Sequence, residues 1–195
     1  MIWNANHWKT DQCALITKLA YQFITEAKAA LFEGGNFTEA SNLSSFESLN
    51  RLENISKFAA TDCSVSALDF DTDHFLLATL NSWIDLKTGQ PSVPNPEVLV
   101  SKVLSVGYSP DAECPSFLQF LHDIFDGDLE LIAFVKLAIG YGFTGQTTEQ
   151  CLFILIGDGA NGKSTFINVI NKLLGSYGTT AAPQSLIANG GGSVG

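Results

Sequence analysis

Nine consecutive residues, Gly157-Asp158-Gly159-Ala160-Asn161-Gly162-Lys163-Ser164-Thr165, combine the types and spacing that bind phosphate. They fit G-x-x-x-x-G-K-S/T, the phosphate-loop or Walker A pattern, without a mismatch. A loop that wraps a polyphosphate turns its backbone N–H groups inward and approaches closely, and side chains at Gly157, Gly159 and Gly162 would obstruct that approach. Asn161 is the non-glycine residue best suited to a left-handed backbone there. Lys163 is the candidate catalytic residue: its ammonium would reach the β and γ phosphates of ATP and stabilise the charge of the transferring group. The Ser164 hydroxyl would be a ligand for Mg2+, and Thr165 would support the first helical turn.

Such a loop needs a strand before it and a helix after it. Cys151-Leu152-Phe153-Ile154-Leu155-Ile156 is an apolar run of strand length, and Phe166 to Leu174 continues with helical periodicity. A helix starting near Gly162 points its unpaired amides and positive dipole end at the phosphates. The alternative is a chance match in a glycine-containing turn, and the flanking strand and helix argue against it.

With 195 residues and 46% apolar content the chain has ample material for a core. No apolar run approaches a membrane span, and Met1 to Lys9 lacks a signal-peptide pattern, so an intracellular, cytoplasmic protein with no membrane partner is expected. Cys13, Cys63, Cys114 and Cys151 are far apart, and His7, His74 and His122 form no cluster, so the thiols read as reduced and structural. Sequons begin at Asn36, Asn42 and Asn54 but have no glycosylation meaning without a secretory signal. A net charge of −10, with Arg51 the only arginine, argues against a nucleic-acid surface in this segment.

Along the chain, Trp3 to Trp8 reads as a short hairpin or edge strand. Thr10 or Asp11 can cap a helix to about Phe32, burying Leu15, Leu19, Phe23, Ala27 and Ala30. Gly34-Gly35-Asn36 ends it, and residues 41–45 read as a polar loop. A second helix is expected from about Phe46 to Ala60, with Leu49, Leu52, Ile55 and Ala59 buried. Asp69, Asp71 and Asp73 invite a metal reading, but His74 and Leu80 stand where an EF-hand needs glycine and glutamate, which favours a solvated turn. Trp83 to Leu86 reads as a strand leaving through the tight turn Lys87-Thr88-Gly89-Gln90, with a prolyl connection at Pro91, Pro94 and Pro96. A short strand lies somewhere between Val98 and Tyr108. Two apolar helices come after the boundary at Ser109 to Pro115: Phe117 to Phe125, capped by Ser116, and Leu129 to Ile139. Beyond Gly178 the sequence is polar and glycine-rich.

Tyr108-Ser109-Pro110-Asp111-Ala112-Glu113-Cys114-Pro115, Gly127-Asp128-Leu129-Glu130-Leu131, Gly140-Tyr141-Gly142-Phe143-Thr144-Gly145 and the phosphate loop together resemble the phage and plasmid primase-helicase family. These are superfamily 3 helicases related to the poxvirus-type primase-helicases. The stretch Asp71 to Gly89 resembles the domain preceding the helicase there, with Ser82 after Asn81 where the family usually has glycine.

The resemblance implies an α/β fold: a mixed pre-helicase domain over residues 1–112, then residues 113–195 as helical collar and the start of an AAA+-like parallel sheet. It also implies an ATP-driven DNA helicase, homo-hexameric when complete, acting on single-stranded or forked DNA with a primase module in the same polypeptide. The second acidic strand, sensor asparagine and arginine finger that such an ATPase needs are not visible after Leu174, so the chain reads as a fragment of that motor. A non-catalytic nucleotide-binding or interaction module is the alternative. A small phosphotransferase is disfavoured because such enzymes usually begin with the loop.

Overall fold

The computed structural model describes residues 1–182 and Gln184. The tail expected beyond Gly178 lies largely outside them. The described chain is a mixture of helices and two small antiparallel sheets.

The opening hairpin forms as expected: β1 (Ile2–Trp3) pairs antiparallel with β2 (Trp8–Lys9), and Trp3 faces Trp8. Its aromatics pack against later parts of the chain. The Trp3 ring lies 5.7 Å from that of Trp8 and 6.3 Å, edge-on, from that of Trp83. Trp83 Nε1 donates to the Asn6 carbonyl at 2.9 Å, and Trp8 Nε1 to the Pro96 carbonyl at 3.0 Å. Both indole N–H groups are thus satisfied, which lets the rings be buried without leaving a donor unpaired.

Helix α1 spans Leu15–Glu33, α2 Phe37–Leu43 and α3 Leu49–Asp62. Asp11 caps α1 from a distance: its carboxylate accepts from the N–H groups of Ile16 (3.0 Å) and Leu15 (2.9 Å), although Ala14 holds the position before the helix. Those bonds, to Ile16 first and then Leu15, hold the Asp11 carboxyl below its ordinary value of 3.8. The cap therefore contributes stability above that value and loses it as pH falls through the lowered one. In an acid titration of stability, Asp11→Ala should flatten this limb relative to the parent chain.

Three expectations for this stretch need correcting. The face of α1 that packs is Ala20, Ile24, Ala27 and Leu31, whereas Leu15, Leu19, Phe23 and Ala30 are exposed. Small residues on that inner face allow α2 to approach with Ala40 fully buried, and close approach outweighs the larger apolar area of the other face. In α3 only Leu52 of the expected stripe is buried. The polar stretch 41–45 is not a loop either: α2 runs through Leu43, and a 3₁₀ turn covers Ser44–Glu47. The Lys28–Glu47 ion pair (2.9 Å) and the Phe32–Phe37 ring contact (5.9 Å) tie this turn and α2 back to α1.

The second sheet has the order β3 (Leu76–Ala78), β4 (Trp83–Asp85), β5 (Pro91–Ser92), all antiparallel. The predicted turn after β4 is present, with Gly89 at φ 70 and the Asp85 carboxylate accepting from Lys87 N–H at 2.8 Å. At the β3–β4 turn, buried Thr79 donates to the Ser82 carbonyl at 2.8 Å. Asn81 bonds both backbone groups of Tyr108, donating at 3.0 Å and accepting at 2.7 Å.

The strand expected within 98–108 is absent. Its buried backbone is spent on several elements instead: Val100 C=O accepts from Trp8 N–H, Leu104 N–H donates to Ala78 C=O, and Ser105 N–H donates to Leu173 C=O. Upstream, Asp71 sits at φ 54 and turns its carboxylate inward. It accepts from Ser101 N–H at 2.8 Å and Ser101 Oγ at 2.5 Å. The aspartates at 69, 71 and 73 are therefore not merely a solvated turn. Asp71 is an anchor for the 101–102 backbone.

Helix α4 spans Pro115–Ile124 and α5 Leu129–Phe143. Proline opens α4 in place of the expected Ser116 cap, because its missing N–H costs nothing at the first helical position. Helix α5 continues through Gly140 and Gly142, past the expected end at Ile139, and Asp128 caps it by accepting from Leu131 N–H at 3.0 Å. Among the described residues no helix is long and apolar enough to cross a membrane.

Candidate functional site

Helix α6 spans Lys163–Leu174, in agreement with the periodicity of the sequence. Its inner face enters a core made with α4 and α5: Phe166 packs with Leu121, Ile132 and Val135, bordered by Phe117, Phe120, Ile124 and Ile170. That packing, rather than helix propensity, holds a twelve-residue helix in place.

The other end of α6 is tied to the sheet. A 3₁₀ turn at Gly175–Tyr177 follows it, and Ser176 N–H donates to Val103 C=O at 3.1 Å while Ser176 Oγ accepts from Val103 N–H at 2.7 Å. Ser105 Oγ donates to the Lys172 carbonyl. Gly175 is required here: it sits at φ 55, and a Cβ would lie 2.6 Å from the Val103 oxygen. Leu174 and Tyr177 join Leu77, Ile84 and Leu104 in a second cluster, so side chains from either side of residue 112 share a core.

Tyr177 Oη accepts from Ala78 N–H at 3.0 Å. Burial pushes the Tyr177 phenol above its ordinary value of 10.0, aided by the negative charge of Asp71 and opposed by the Ala78 bond. The neutral phenol thus stabilises the fold below that value, and the contribution is lost as pH rises through the raised one. Tyr177→Phe leaves the Ala78 donor unpaired and should cost about 1–3 kcal/mol in chemical denaturation at neutral pH. The variant should also lose the alkaline dependence that the phenol confers.

At the start of α6 the loop is built as a cradle. Gly162 is at φ 85, and a Cβ there would lie 2.6 Å from Ile124 Cγ2, so only glycine lets the loop sit against α4. A Cβ at Gly157 would run into the side-chain amide of Asn161. Gly159 differs from expectation: a Cβ there meets nothing within 4 Å. Asn161 is not the left-handed residue either; Ala160 takes that conformation at φ 61. A non-glycine residue held there carries roughly 1–3 kcal/mol of local strain, of the kind found at ligand clamps.

Lys163 Nζ donates to Gly157 C=O at 2.6 Å, Asp158 C=O at 2.7 Å and Asn161 Oδ1 at 2.6 Å. All three ammonium protons are thereby used. Sequence reasoning placed Lys163 and Asn161 in the loop but missed their contact, which depends on the loop's closure. No side chain caps α6, and among the described residues no protein acceptor meets the N–H groups of Gly159, Ala160 or Gly162. Ser164 is exposed with its hydroxyl making no hydrogen bond in the described chain. Thr165 is likewise exposed and makes no such bond.

The strand expected at Cys151–Ile156 is not formed. The stretch lies along α5 and α6 beside an apolar cleft of about 660 Å³. Phe153 meets Phe134 edge-on at 6.1 Å, and the alternation of a strand survives in the exposures: Phe153 47% and Leu155 38%, against Leu152 77%, Ile154 71% and Ile156 89%. The physical reason is that helices offer side chains but no free backbone, and among the described residues no strand lies beside it to complete a ladder. The parallel sheet implied by the loop is accordingly not present in the described chain.

The described chain is a mixed scaffold of helices and small antiparallel sheets, with the glycine-rich turn at the start of α6. Residues 1–126, ending between α4 and α5, match the family described as D5 N terminal like. The chain belongs to this family, the N-terminal domain of D5-like primase-helicase proteins. No curated protein matches the chain.

Proposed function

We propose that the chain is the ATP-binding part of a replicative DNA helicase of a virus, phage or plasmid, coupling ATP hydrolysis to DNA unwinding in the complete protein. Residues 1–112 would form the pre-helicase domain, and residues 113–195 the collar and opening segment of a superfamily 3 motor. The observation that carries this reading is the closure of the loop on Lys163, with Gly157 and Gly162 where a Cβ would clash and uncapped amides at the start of α6. Such a cradle suits a polyphosphate: backbone N–H groups without a protein acceptor lie in the same short loop as one ammonium group. Ser164 is the residue that would hold Mg2+, which supplies charge neutralisation between the β and γ oxygens when bound. The apolar run Leu152–Ile156 is then the first strand of the motor's parallel sheet, awaiting neighbours supplied by further chain.

The test is equilibrium binding of a fluorescent ATP analogue, with magnesium, to the 195-residue chain. Saturable binding displaced by ATP but not by adenosine is expected, because the loop recognises phosphate. A folded chain that binds no nucleotide would remove the proposal.

The uncovered run Leu152–Ile156 and the net charge of −10 also suit a second reading, a non-catalytic nucleotide-binding or interaction module in a replication complex. Steady ATP turnover by the 195-residue chain would exclude that alternative.

A further inference from the structure

We infer that Asn161 is a positioning residue that latches Lys163 within the loop and must swing away before a phosphate can engage the ammonium group; this rests on the phosphate-loop reading above. A lysine ammonium has three donors. Two are held by the carbonyls of Gly157 and Asp158, which belong to the loop's own backbone and do not swing away by a side-chain rotation. The third goes to Asn161 Oδ1 at 2.6 Å. That acceptor is a side chain with two rotatable bonds, so it is the one partner that can be exchanged. The amide orientation follows from chemistry, because only its oxygen can face a donor-only ammonium.

A second observation places the side chain against the far end of the loop as well as on Lys163. The Asn161 Nδ2 atom lies only 2.0 Å from where a Cβ on Gly157 would be, so the side chain folds back over the first glycine of the loop. Left-handed Ala160 is the residue before it, and the turn made there brings Asn161 back toward Lys163. Asn161 therefore competes with an incoming phosphate oxygen both for a donor and for space. Hydrogen bonds to charged groups are worth enough that removing this competitor should tighten nucleotide binding by roughly threefold to tenfold.

The test uses the 195-residue chain with Asn161→Ala and Asn161→Asp, each checked for parental helix content and thermal midpoint. Two readouts are taken. The first is the rate at which an amine-acylating reagent labels Lys163 without nucleotide, followed by peptide mass spectrometry. Labelling should be several-fold faster in Asn161→Ala and slower in Asn161→Asp, whose carboxylate retains the acceptor and adds charge. The second is the affinity for a fluorescent ATP analogue with magnesium, which should rise in Asn161→Ala.

An unchanged labelling rate in Asn161→Ala overturns the latch. So does weaker nucleotide binding by that variant, which would make Asn161 a phosphate contact instead of a competitor. If the parent chain and Lys163→Ala alike bind no nucleotide, the phosphate-loop reading falls, while the labelling rates still decide whether Asn161 restrains Lys163.

Discussion

On the helicase reading proposed above, Lys163→Ala in the complete protein is expected to lower ATP hydrolysis by at least about a hundredfold to a thousandfold and to abolish unwinding, the scale seen when one preorganised charge-stabilising donor is removed. The reason lies in how the ammonium is held. Two backbone carbonyls, of Gly157 and Asp158, fix it over the loop, so its charge is in place before a phosphate arrives and only the Asn161 side chain has to move for it to be used. Assembly should survive, because α6 is anchored through Phe166 and Ile170 on the opposite side of the helix start, and through Ser176 and Tyr177 at its far end. Phosphate release under saturating ATP, together with the particle mass in solution, checks both halves. A variant that turned over normally would remove Lys163 from the mechanism.

Leu121→Ala should have the largest effect on stability. Leu121 is completely buried at the junction of α4, α5 and α6, in contact with the core that Phe166 enters. Truncating a buried leucine removes transfer free energy and leaves a cavity that relaxes only in part, which together cost about 2–5 kcal/mol. Urea denaturation should show a lower midpoint by that amount. Nucleotide binding should weaken in parallel, because Gly162 and the loop rest on Phe120 and Ile124 of the same helix. A loss below about 1 kcal/mol would mean that the cluster collapses around the gap and does not set the loop's position.

Elements governed by local chemistry are legible in the order of the residues. Helix α6 begins at Lys163 and ends at Leu174 where glycine and periodicity place it. The Trp3–Trp8 hairpin, the Gly34-Gly35 stop after α1 and the Gly89 turn also follow from residue types at fixed spacing, because turn conformations and helix ends are decided within a few residues. The family resemblance rests on strings of this kind, and residues 1–126 support it.

Choices between competing long-range partners are not legible in that way. Nothing in the periodicity of α1 says that an alanine-rich face will be preferred to Leu15, Leu19 and Phe23; that depends on how closely α2 can approach. The 98–108 stretch has the composition of a strand, yet its amides serve β2, β3 and α6 in turn, a result of where those elements lie.

For the candidate site, the sequence by itself determined the residues and their order, since a phosphate cradle needs small residues, one lysine and one hydroxyl at a set spacing. Tertiary structure alone decided that Ala160 would carry the left-handed turn, that Gly162 would be pressed against Ile124, and that Asn161 would close on Lys163. It also decided that, among the described residues, Leu152–Ile156 has no strand partner, because a strand is completed only by a neighbour's backbone, and α5 and α6 supply none.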